Sequence, residues 1–347
     1  MSDPAPLYRG PRPTVAKTLR WANRTERLHR DPQMHRLSYG HWFRADAPLN
    51  HLQRSVLLQQ HLSTDKSTVR LTGTTALKLL RLPDGGHYPW ANRILNHPEP
   101  PRGPELHRHR HRIPQLSWDG ERRRTSQRDV KLTKSYGLGS FHGPWDAVIV
   151  HPVEALVVAA PMMDRWSITA VLDAMLCSND LTPFGTSDTE VFTVESIREA
   201  LALLPAASRA VREVHRALAE VQYPTWSGME TLTRMLALAC GMPRPIMNFR
   251  VETPRGHSIL DSAWPEHMTA VEFNGRGHSL DHATYKDEMY RNEVLRDLGW
   301  KLRIVSFDDL RTMDRLGQWL TWLGGHLGVE PDLSRVVDVT LESSEPW

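Results

Sequence analysis

Two carboxylates in the last third of the chain are the strongest candidates for chemistry. Asp261 lies within a predicted strand, 258–263, and Glu272 lies near the end of the next one, 268–273. Only a short turn separates these strands, and antiparallel neighbours joined in this way can bring two side chains together. Convergent carboxylates suit a hard divalent cation such as Mg²⁺ or Mn²⁺, which activates water and neutralises charge developing on a phosphodiester.

A histidine follows the second carboxylate after a glycine-rich loop, 275–277. His278 could act there as a general base or bind a phosphate. Each acidic residue and the histidine also has an ordinary explanation: a turn cap, a solvated strand edge, an exposed loop residue, or the helix capping box that Glu230 would form with Ser227. The sequence therefore supports a hydrolytic site through the combination of these residues and not through any one of them.

The elements that must position these residues follow a regular order. Ser227 and Gly241 bound a predicted helix, 227–240, and Gly299 ends a second one, 281–298. Alternating patterns and turn residues predict the strands 248–253, 258–263, 268–273 and 300–306. The predicted core is therefore a helix, three strands, a helix and a strand.

This ordered set of segments resembles the domain of very-short-patch-repair-like endonucleases, in the PD-(D/E)xK nuclease superfamily. The matching segments cover about a quarter of the chain, and they are Ser227-Gly-Met-Glu230, Gly241-Met-Pro-Arg-Pro245, Asp261-Ser-Ala-Trp-Pro265, Val271-Glu-Phe-Asn-Gly275 with His278, Asp287, Arg291-Asn292, Leu295, Leu298-Gly-Trp300 and Arg303. The resemblance implies a restriction-endonuclease-like fold and a metal-dependent nuclease activity.

The resemblance also implies roles for individual residues. Asp261 and Glu272 would bind the metal ion, with the backbone carbonyl of Phe273 as a third ligand. Glu230 would be an accessory acid on the leading helix. The residues that would face the phosphate or the nucleic acid are His278, Arg291, Lys286 and Arg303.

The chain departs from the family at one position that matters for catalysis. Related domains carry Asp or Lys two residues after the strand glutamate, where this chain has Asn274. An asparagine can donate a hydrogen bond or bind through its carbonyl, but it supplies neither charge nor basicity. Because no lysine stands at the usual position, its role would fall to His278 or Lys286, or be absent.

The first half of the chain is strongly basic and the second half is acidic. Residues 1–150 contain 25 Lys and Arg against 12 Asp and Glu, a balance of +13, whereas residues 151–347 contain 18 against 28, a balance of −10. A basic region of this kind is typical of proteins that bind nucleic acid, and DNA is the nucleic acid that a nuclease of the type described above favours. The alternative is that the two halves of the chain simply attract each other.

Two arginine-rich stretches contribute to this charge. Histidine alternates with arginine over 106–113, so a strand there would place His107, His109 and His111 on one face. A metal site is one interpretation, but a basic strand that faces phosphate is favoured, because histidines in a line about 7 Å apart match a tetrahedral shell poorly. The predicted phosphate-contacting residues are Arg108, Arg110, Arg112, Arg122, Arg123 and Arg124.

The N-terminal half resembles, more faintly, the part that accompanies this nuclease domain in actinobacterial proteins related to abortive-infection antitoxins. Segments 36–43 and 71–80 are similar to a winged-helix wing and the helix after it, and 151–156 and 171–176 are similar to connector helices. We therefore predict an α/β (α+β) protein with a winged-helix-like region 1–105, a mixed α/β connector 106–222, a nuclease domain 223–328 and an acidic, mostly disordered tail 329–347.

Composition and local patterns narrow the remaining possibilities. The sequence contains neither a signal peptide nor the roughly 18 uninterrupted apolar residues of a membrane helix, so we expect a cytoplasmic protein. Cys177 and Cys240 are expected to be buried, reduced thiols. The amphipathic stretch 310–327, with its tryptophans, either packs on the sheet or forms a homodimer contact.

Two classes of function fit the sequence. The first is a Mg²⁺- or Mn²⁺-dependent endonuclease whose basic half docks the nucleic acid. The second is a nucleic-acid-binding or regulatory protein that keeps the nuclease fold with reduced catalysis, as Asn274 suggests. A role in a toxin–antitoxin system or in phage defence is compatible with both.

Overall fold

The computed structural model describes residues 32–38, 41–44, 49–63, 68–83, 113–119, 130–177, 192–274, 282–310 and 312–336. These residues form two compact units. The first unit takes the described residues from 32 to 81 and from 113 to 159. The second takes 82–83, 160–177, 192–274, 282–310 and 312–336, and it contains the predicted nuclease core.

A mixed five-stranded sheet organises the first unit, with the strand order β5-β4-β3-β7-β6. The hairpin β1 (Met34–Ser38) and β2 (His41–Arg44) and the helix α1 (His51–Leu62) precede it. The remaining elements are β3 (Val69–Leu71), α2 (Gly73–Leu79), β4 (Gln115–Trp118), β5 (Lys131–Lys134), β6 (Ser140–Gly143), β7 (Ala147–Val150) and α3 (Pro152–Ala159). β1 and β2 include most of the segment 36–43, in which the sequence suggests a wing, and α2 lies within 71–80, in which it suggests a helix.

The central strand of this sheet joins parts of the chain that are distant in sequence. β3 pairs antiparallel with β4 and parallel with β7. β3 lies in the predicted winged-helix-like region, whereas β4 and β7 lie in the predicted connector. One sheet therefore spans the boundary that the sequence predicts near residue 105.

Helix α2 begins in a way that the sequence does not indicate. Thr72 stands at its N-cap, but the threonine side chain makes no capping hydrogen bond. The side chain of Gln115 on β4 acts instead, accepting from the Thr74 N–H at 3.3 Å and donating to Thr74 Oγ1 at 2.9 Å. The helix ends at Leu79, and Arg81 two residues later takes a left-handed conformation with φ +58°.

We expect the substitution Gly73→Ala to lower the free energy of unfolding by roughly 2 kcal/mol. Gly73 has φ +57°, which costs an L-residue about 1 kcal/mol, and a Cβ there would overlap Gln115 Oε1 and displace the capping amide, at about 1 kcal/mol more. Chemical denaturation followed by circular dichroism measures the effect. Gly137→Ala is the matched control, since Gly137 has φ +83° and open space beside it. An equal loss in both variants would show that Gln115 contributes nothing.

Three helices lead into the core of the second unit. They are α4 (Arg165–Cys177), α5 (Val194–Ala202) and α6 (Arg209–Leu218). α4 packs against both α6 and the next helix, α7 (Gly228–Ala239). A predicted connector helix therefore supports the first helix of the predicted nuclease core.

The predicted order of helix, three strands, helix and strand is confirmed in the second unit. α7 is followed by β8 (Ile246–Thr253), β9 (Gly256–Trp264), β10 (Thr269–Phe273), α8 (His282–Asp297), β11 (Lys301–Val305) and α9 (Met313–Leu327). The sheet has the strand order β11-β10-β9-β8. β8, β9 and β10 run antiparallel in turn, while β10 and β11 are parallel.

Helices cover both faces of this sheet. Val271 and Val305 pack into one buried cluster with side chains of α7 and α9, such as Leu236 and Trp319. Ala270 packs into a second cluster that includes Leu295 of α8. Because neighbouring side chains on a strand point to opposite faces, α7 and α9 cover one face and α8 covers the other.

The apolar face of the C-terminal helix, α9, packs inside the protein. Leu316, Trp319, Leu320 and Leu323 of α9 are at most 1% exposed and belong to the same core cluster as α7. The face that the sequence offers as a dimer contact is therefore buried within the chain. The prediction of a disordered tail from 329 is wrong for its first part, since Val336 is 5% exposed and the Asp332 N–H donates to the Cys240 carbonyl at 3.0 Å.

Two general expectations can be compared with the described part of the chain. None of its helices is long and apolar enough to cross a membrane. Both cysteines are free thiols; Cys240 is buried, whereas Cys177 is only partly buried and accepts a hydrogen bond from the Thr225 N–H at 3.0 Å.

Candidate active site

The two predicted metal-binding carboxylates lie opposite each other on β9 and β10. The antiparallel register pairs Thr269 with Trp264 and Val271 with Ser262. Continuing this register by one residue places Glu272 opposite Asp261. The hydrogen bond from the Phe273 N–H to Asp261 Oδ2, at 2.8 Å, joins the two strands at the same level.

The sheet is interrupted where Asp261 lies. The β8–β9 ladder pairs Met247 with Ser262 and Phe249 with Leu260, but it skips the residues between them, Asn248 and Asp261. Asn248 has φ +47°, a left-handed conformation that asparagine tolerates better than most residues. The Asp261 carboxylate therefore accepts from the next strand, where a regular ladder would use a backbone carbonyl.

The third carboxylate comes from the start of α7. Ser227 caps this helix as predicted, accepting from the Glu230 N–H at 3.2 Å. Glu230 does not complete the predicted capping box, because its Oε2 accepts instead from the Trp226 N–H at 2.9 Å and from Asn248 Nδ2 at 2.7 Å. This 7% exposed side chain is thus held against the break in the sheet.

These three acids influence one another electrostatically. The pKa of Asp261 rises from 3.8 to about 7, mainly because of burial and next because of the negative charge of Glu230. The Phe273 N–H opposes the rise in pKa, Glu272 adds to it, and Arg291 opposes it. Glu230 and Glu272 therefore place more negative charge around Asp261 than the Arg291 guanidinium neutralises.

Arg291 of α8 binds the glutamate of β10. Its Nη1 and Nη2 donate to Glu272 Oε2 and Oε1 at 2.7 and 2.9 Å, and Nη2 also donates to the Ile259 carbonyl. Burial of the guanidinium works against its charge, but Glu272 and Asp261 outweigh that effect and raise the pKa of Arg291. Arg291, predicted to bind phosphate, is thus an ion-pair partner of Glu272 in this structure.

Asn274 connects the end of β10 to its surroundings. Its N–H donates to the Val305 carbonyl at 2.8 Å, and its Nδ2 donates to Glu288 Oε1 of α8 at 3.0 Å. The Asn274 amide, two residues after Glu272, is therefore hydrogen-bonded to α8.

The remaining predicted site residues divide into two groups. Arg303 lies in register with Val271, whose side chain packs toward α7 and α9, so strand alternation places it on the face opposite to Glu272. The others fall outside the described residues: His278, the Lys286 side chain, the three histidines of 106–113, and Arg108, Arg110, Arg112, Arg122, Arg123 and Arg124.

The donor set can be compared with the needs of a divalent ion. Among the described residues, no group of three His, Cys, Asp or Glu is arranged to hold a metal ion. The chemistry of the donors nevertheless fits Mg²⁺ or Mn²⁺, since carboxylates and a backbone carbonyl are hard oxygen ligands and the surplus negative charge around Asp261 favours a cation.

Two parts of this site were not predicted from the sequence. In the sequence, Asn248 is predicted only as the first residue of a strand. The one sequence feature that could have indicated its role is that asparagine tolerates positive φ. The buried ion pair between Arg234 of α7 and Asp173 of α4, at 2.7 Å, was also missed. A charge inside each of two otherwise apolar helices is the signal that could have revealed it.

Comparisons of the chain with protein-family models, curated proteins and solved structures find no match.

Proposed function

We propose that the chain is a Mg²⁺- or Mn²⁺-dependent endonuclease of the very-short-patch-repair-like, PD-(D/E)xK type, which hydrolyses phosphodiester bonds of DNA. The observation that carries this proposal is that Glu230 and Glu272 lie close enough to Asp261 to raise its pKa at the break in the sheet. The order of helix, three strands, helix and strand supports a restriction-endonuclease-like core.

Within this proposal, Asp261, Glu272 and the Phe273 carbonyl hold the ion. Among the described residues, the Phe273 N–H is the hydrogen-bond donor to Asp261 and uses only Oδ2, so Oδ1 stays available. A bound ion supplies an activated water and neutralises charge on the phosphate. Glu230 acts as an accessory acid that orients water, and Asn274 positions the loop that leads to His278.

The basic half of the chain would hold the nucleic acid. Its net charge of +13 over residues 1–150 favours binding of an anionic polymer, and phosphate contacts supply most of the non-specific affinity for DNA. We assign this role to the arginines within 106–113 and 122–124, with Lys286 as a further candidate. A cytoplasmic location is part of the same proposal.

A cleavage assay tests the proposed activity. End-labelled duplex DNA, mismatched duplex, single-stranded DNA and RNA are incubated with Mg²⁺, Mn²⁺ or EDTA. We expect cleavage of DNA only with a divalent ion. In Glu272→Gln protein the rate should fall at least about 100-fold, since a metal ligand supplies several kcal/mol of transition-state stabilisation.

Glu293→Gln is the control, because Glu293 is an exposed acid on α8 and its substitution removes the same charge. Purified protein that cleaves none of the four substrates, or that cleaves equally well as Glu272→Gln, would refute the assignment.

A second function has two specific observations in its favour. Asn274 uses its amide to bind Glu288, and both oxygens of Glu272 accept from Arg291, as would suit a nucleic-acid-binding or regulatory protein with reduced catalysis. A toxin–antitoxin or phage-defence component could have this form. Salt-dependent DNA binding that is indifferent to Mn²⁺ and to Asp261→Asn, without cleavage, would support this alternative.

A further inference from the structure

The ion pair between Arg291 and Glu272 occupies the glutamate through both of its oxygens. The two hydrogen bonds, at 2.7 and 2.9 Å, have the parallel, bidentate geometry that is the strongest arrangement between arginine and a carboxylate. The two side chains are 29% and 13% exposed. The guanidinium is anchored further by its hydrogen bond to the Ile259 carbonyl.

This geometry weakens metal binding by the same glutamate. A divalent ion needs at least one carboxylate oxygen facing it, and each oxygen of Glu272 already gives one of its lone pairs to the Arg291 guanidinium. Two cations at one carboxylate also repel each other. From this geometry, and on the basis of the proposed divalent-ion site, we propose that Arg291 is an internal counter-cation that competes with the metal ion for Glu272.

The competition gives the site a defined order of events. Without a divalent ion, Arg291 neutralises Glu272 and holds α8 against β10. When an ion binds Asp261 and Glu272, the guanidinium leaves at least one oxygen and becomes available to another anion. A planar, bidentate donor is well suited to the phosphodiester that the proposed activity requires. Metal occupancy and substrate binding are thereby coupled through one side chain.

A Mn²⁺ titration of the full chain tests this competition without measuring activity. Free Mn²⁺ is followed by electron paramagnetic resonance at constant ionic strength. We expect Arg291→Met to bind Mn²⁺ roughly tenfold more tightly than the unmodified protein, because charge-assisted hydrogen bonds to Glu272 no longer have to be broken. Arg296→Met removes an exposed arginine from the same helix and should leave the affinity unchanged.

Arg291→Lys separates the bidentate contact from net charge. Lysine keeps the positive charge but cannot form two parallel hydrogen bonds with one carboxylate, so we expect an intermediate Mn²⁺ affinity. An affinity equal to that of the unmodified protein would support competition through charge alone and would overturn the role of the bidentate contact. Unchanged or weaker binding by Arg291→Met, or no binding by either protein, would overturn the proposal itself.

The result is independent of the cleavage assay. Tighter Mn²⁺ binding by Arg291→Met, abolished by a second substitution Asp261→Asn, supports the competition even if no nucleic acid is cleaved. Divalent-dependent cleavage accompanied by an unchanged Mn²⁺ affinity in Arg291→Met would retain the proposed function and overturn only the role of Arg291.

Discussion

Asp261→Asn is expected to raise the melting temperature of the metal-free protein while it abolishes divalent-dependent cleavage. The asparagine has the same shape and can still accept from the Phe273 N–H through its Oδ1. What it removes is a negative charge that is buried beside Glu230 and Glu272. The substitution therefore relieves a cost to folding and eliminates a proposed metal ligand at the same time.

The stabilisation should depend on pH in a defined direction. The pKa of Asp261 is about 7 in the folded protein, well above its ordinary value of 3.8. A folded state that binds the proton more tightly than the unfolded state loses stability as pH rises from about 4 to 7, and above that range the loss is complete. Because the side chain is partly solvated, we expect Asp261→Asn to gain about 1–2 kcal/mol at pH 8 and progressively less toward pH 5.

Thermal unfolding at several pH values, with EDTA or with Mn²⁺, measures both effects. Mn²⁺ should stabilise the unmodified protein, because a ligand that binds only the folded state adds to its stability, and should leave Asp261→Asn unchanged. Glu293→Gln controls for the loss of a surface charge. A lower melting temperature for Asp261→Asn at pH 8, or equal stabilisation of both proteins by Mn²⁺, would contradict the role assigned to Asp261.

Arg234→Met is expected to lower the free energy of unfolding by about 3–5 kcal/mol, the usual cost when one partner of a buried ion pair is removed. The Arg234 and Asp173 side chains are 0% and 1% exposed, and they meet at 2.7 Å between α7 and α4. Asp173 also accepts from the Gln222 N–H at 2.9 Å and from Thr231 Oγ1 at 2.8 Å. These bonds alone do not neutralise a buried carboxylate.

The position of this pair connects stability to the candidate site. Arg234 lies one turn after Glu230 on α7, and Asp173 bonds to residues on either side of the start of that helix. The pair therefore holds the helix that presents Glu230 to Asn248 and the break in the sheet. We expect Arg234→Met to lose cleavage together with stability.

Two further variants distinguish the effect of an unpaired buried charge from the effect of a lost contact. The double variant Asp173→Asn/Arg234→Met should be more stable than Arg234→Met, because no uncompensated charge remains. Arg216→Met breaks a pair whose arginine is 59% exposed and should cost less than about 1 kcal/mol. Urea denaturation gives all three values, and a loss in Arg234→Met no greater than in Arg216→Met would exclude a structural role for the pair.

The same pair has a pH signature. Burial raises the pKa of Asp173, and the Arg234 guanidinium opposes that rise. In Arg234→Met the opposing charge is absent, so the folded state takes up a proton at Asp173 more readily than before. The difference in stability between Arg234→Met and the unmodified protein should therefore shrink as pH falls. A constant difference across pH would argue against an unpaired Asp173 charge as its cause.

Local patterns were sufficient to predict the elements around the site. Ser227 and Gly241 bound α7 as expected, since a capping hydroxyl and a left-handed glycine act on their own helix ends. The short turn between β9 and β10 likewise predicted an antiparallel pair that can bring Asp261 and Glu272 together. Such features depend on residues a few positions apart, so spacing along the chain carries the information.

Contacts between distant elements depended on the tertiary structure. The sequence identified Asn248 only as part of a strand, but packing gives it a left-handed backbone and turns its amide to Glu230. Family resemblance suggested a phosphate ligand at Arg291, whereas the approach of α8 to β10 pairs it with Glu272. Periodicity along the chain assigns a residue to a face of its own helix or strand. The partner of that residue depends on how the helices and strands pack. A buried charge or amide has no water to bond to, so it must bond to the group that packing places opposite it.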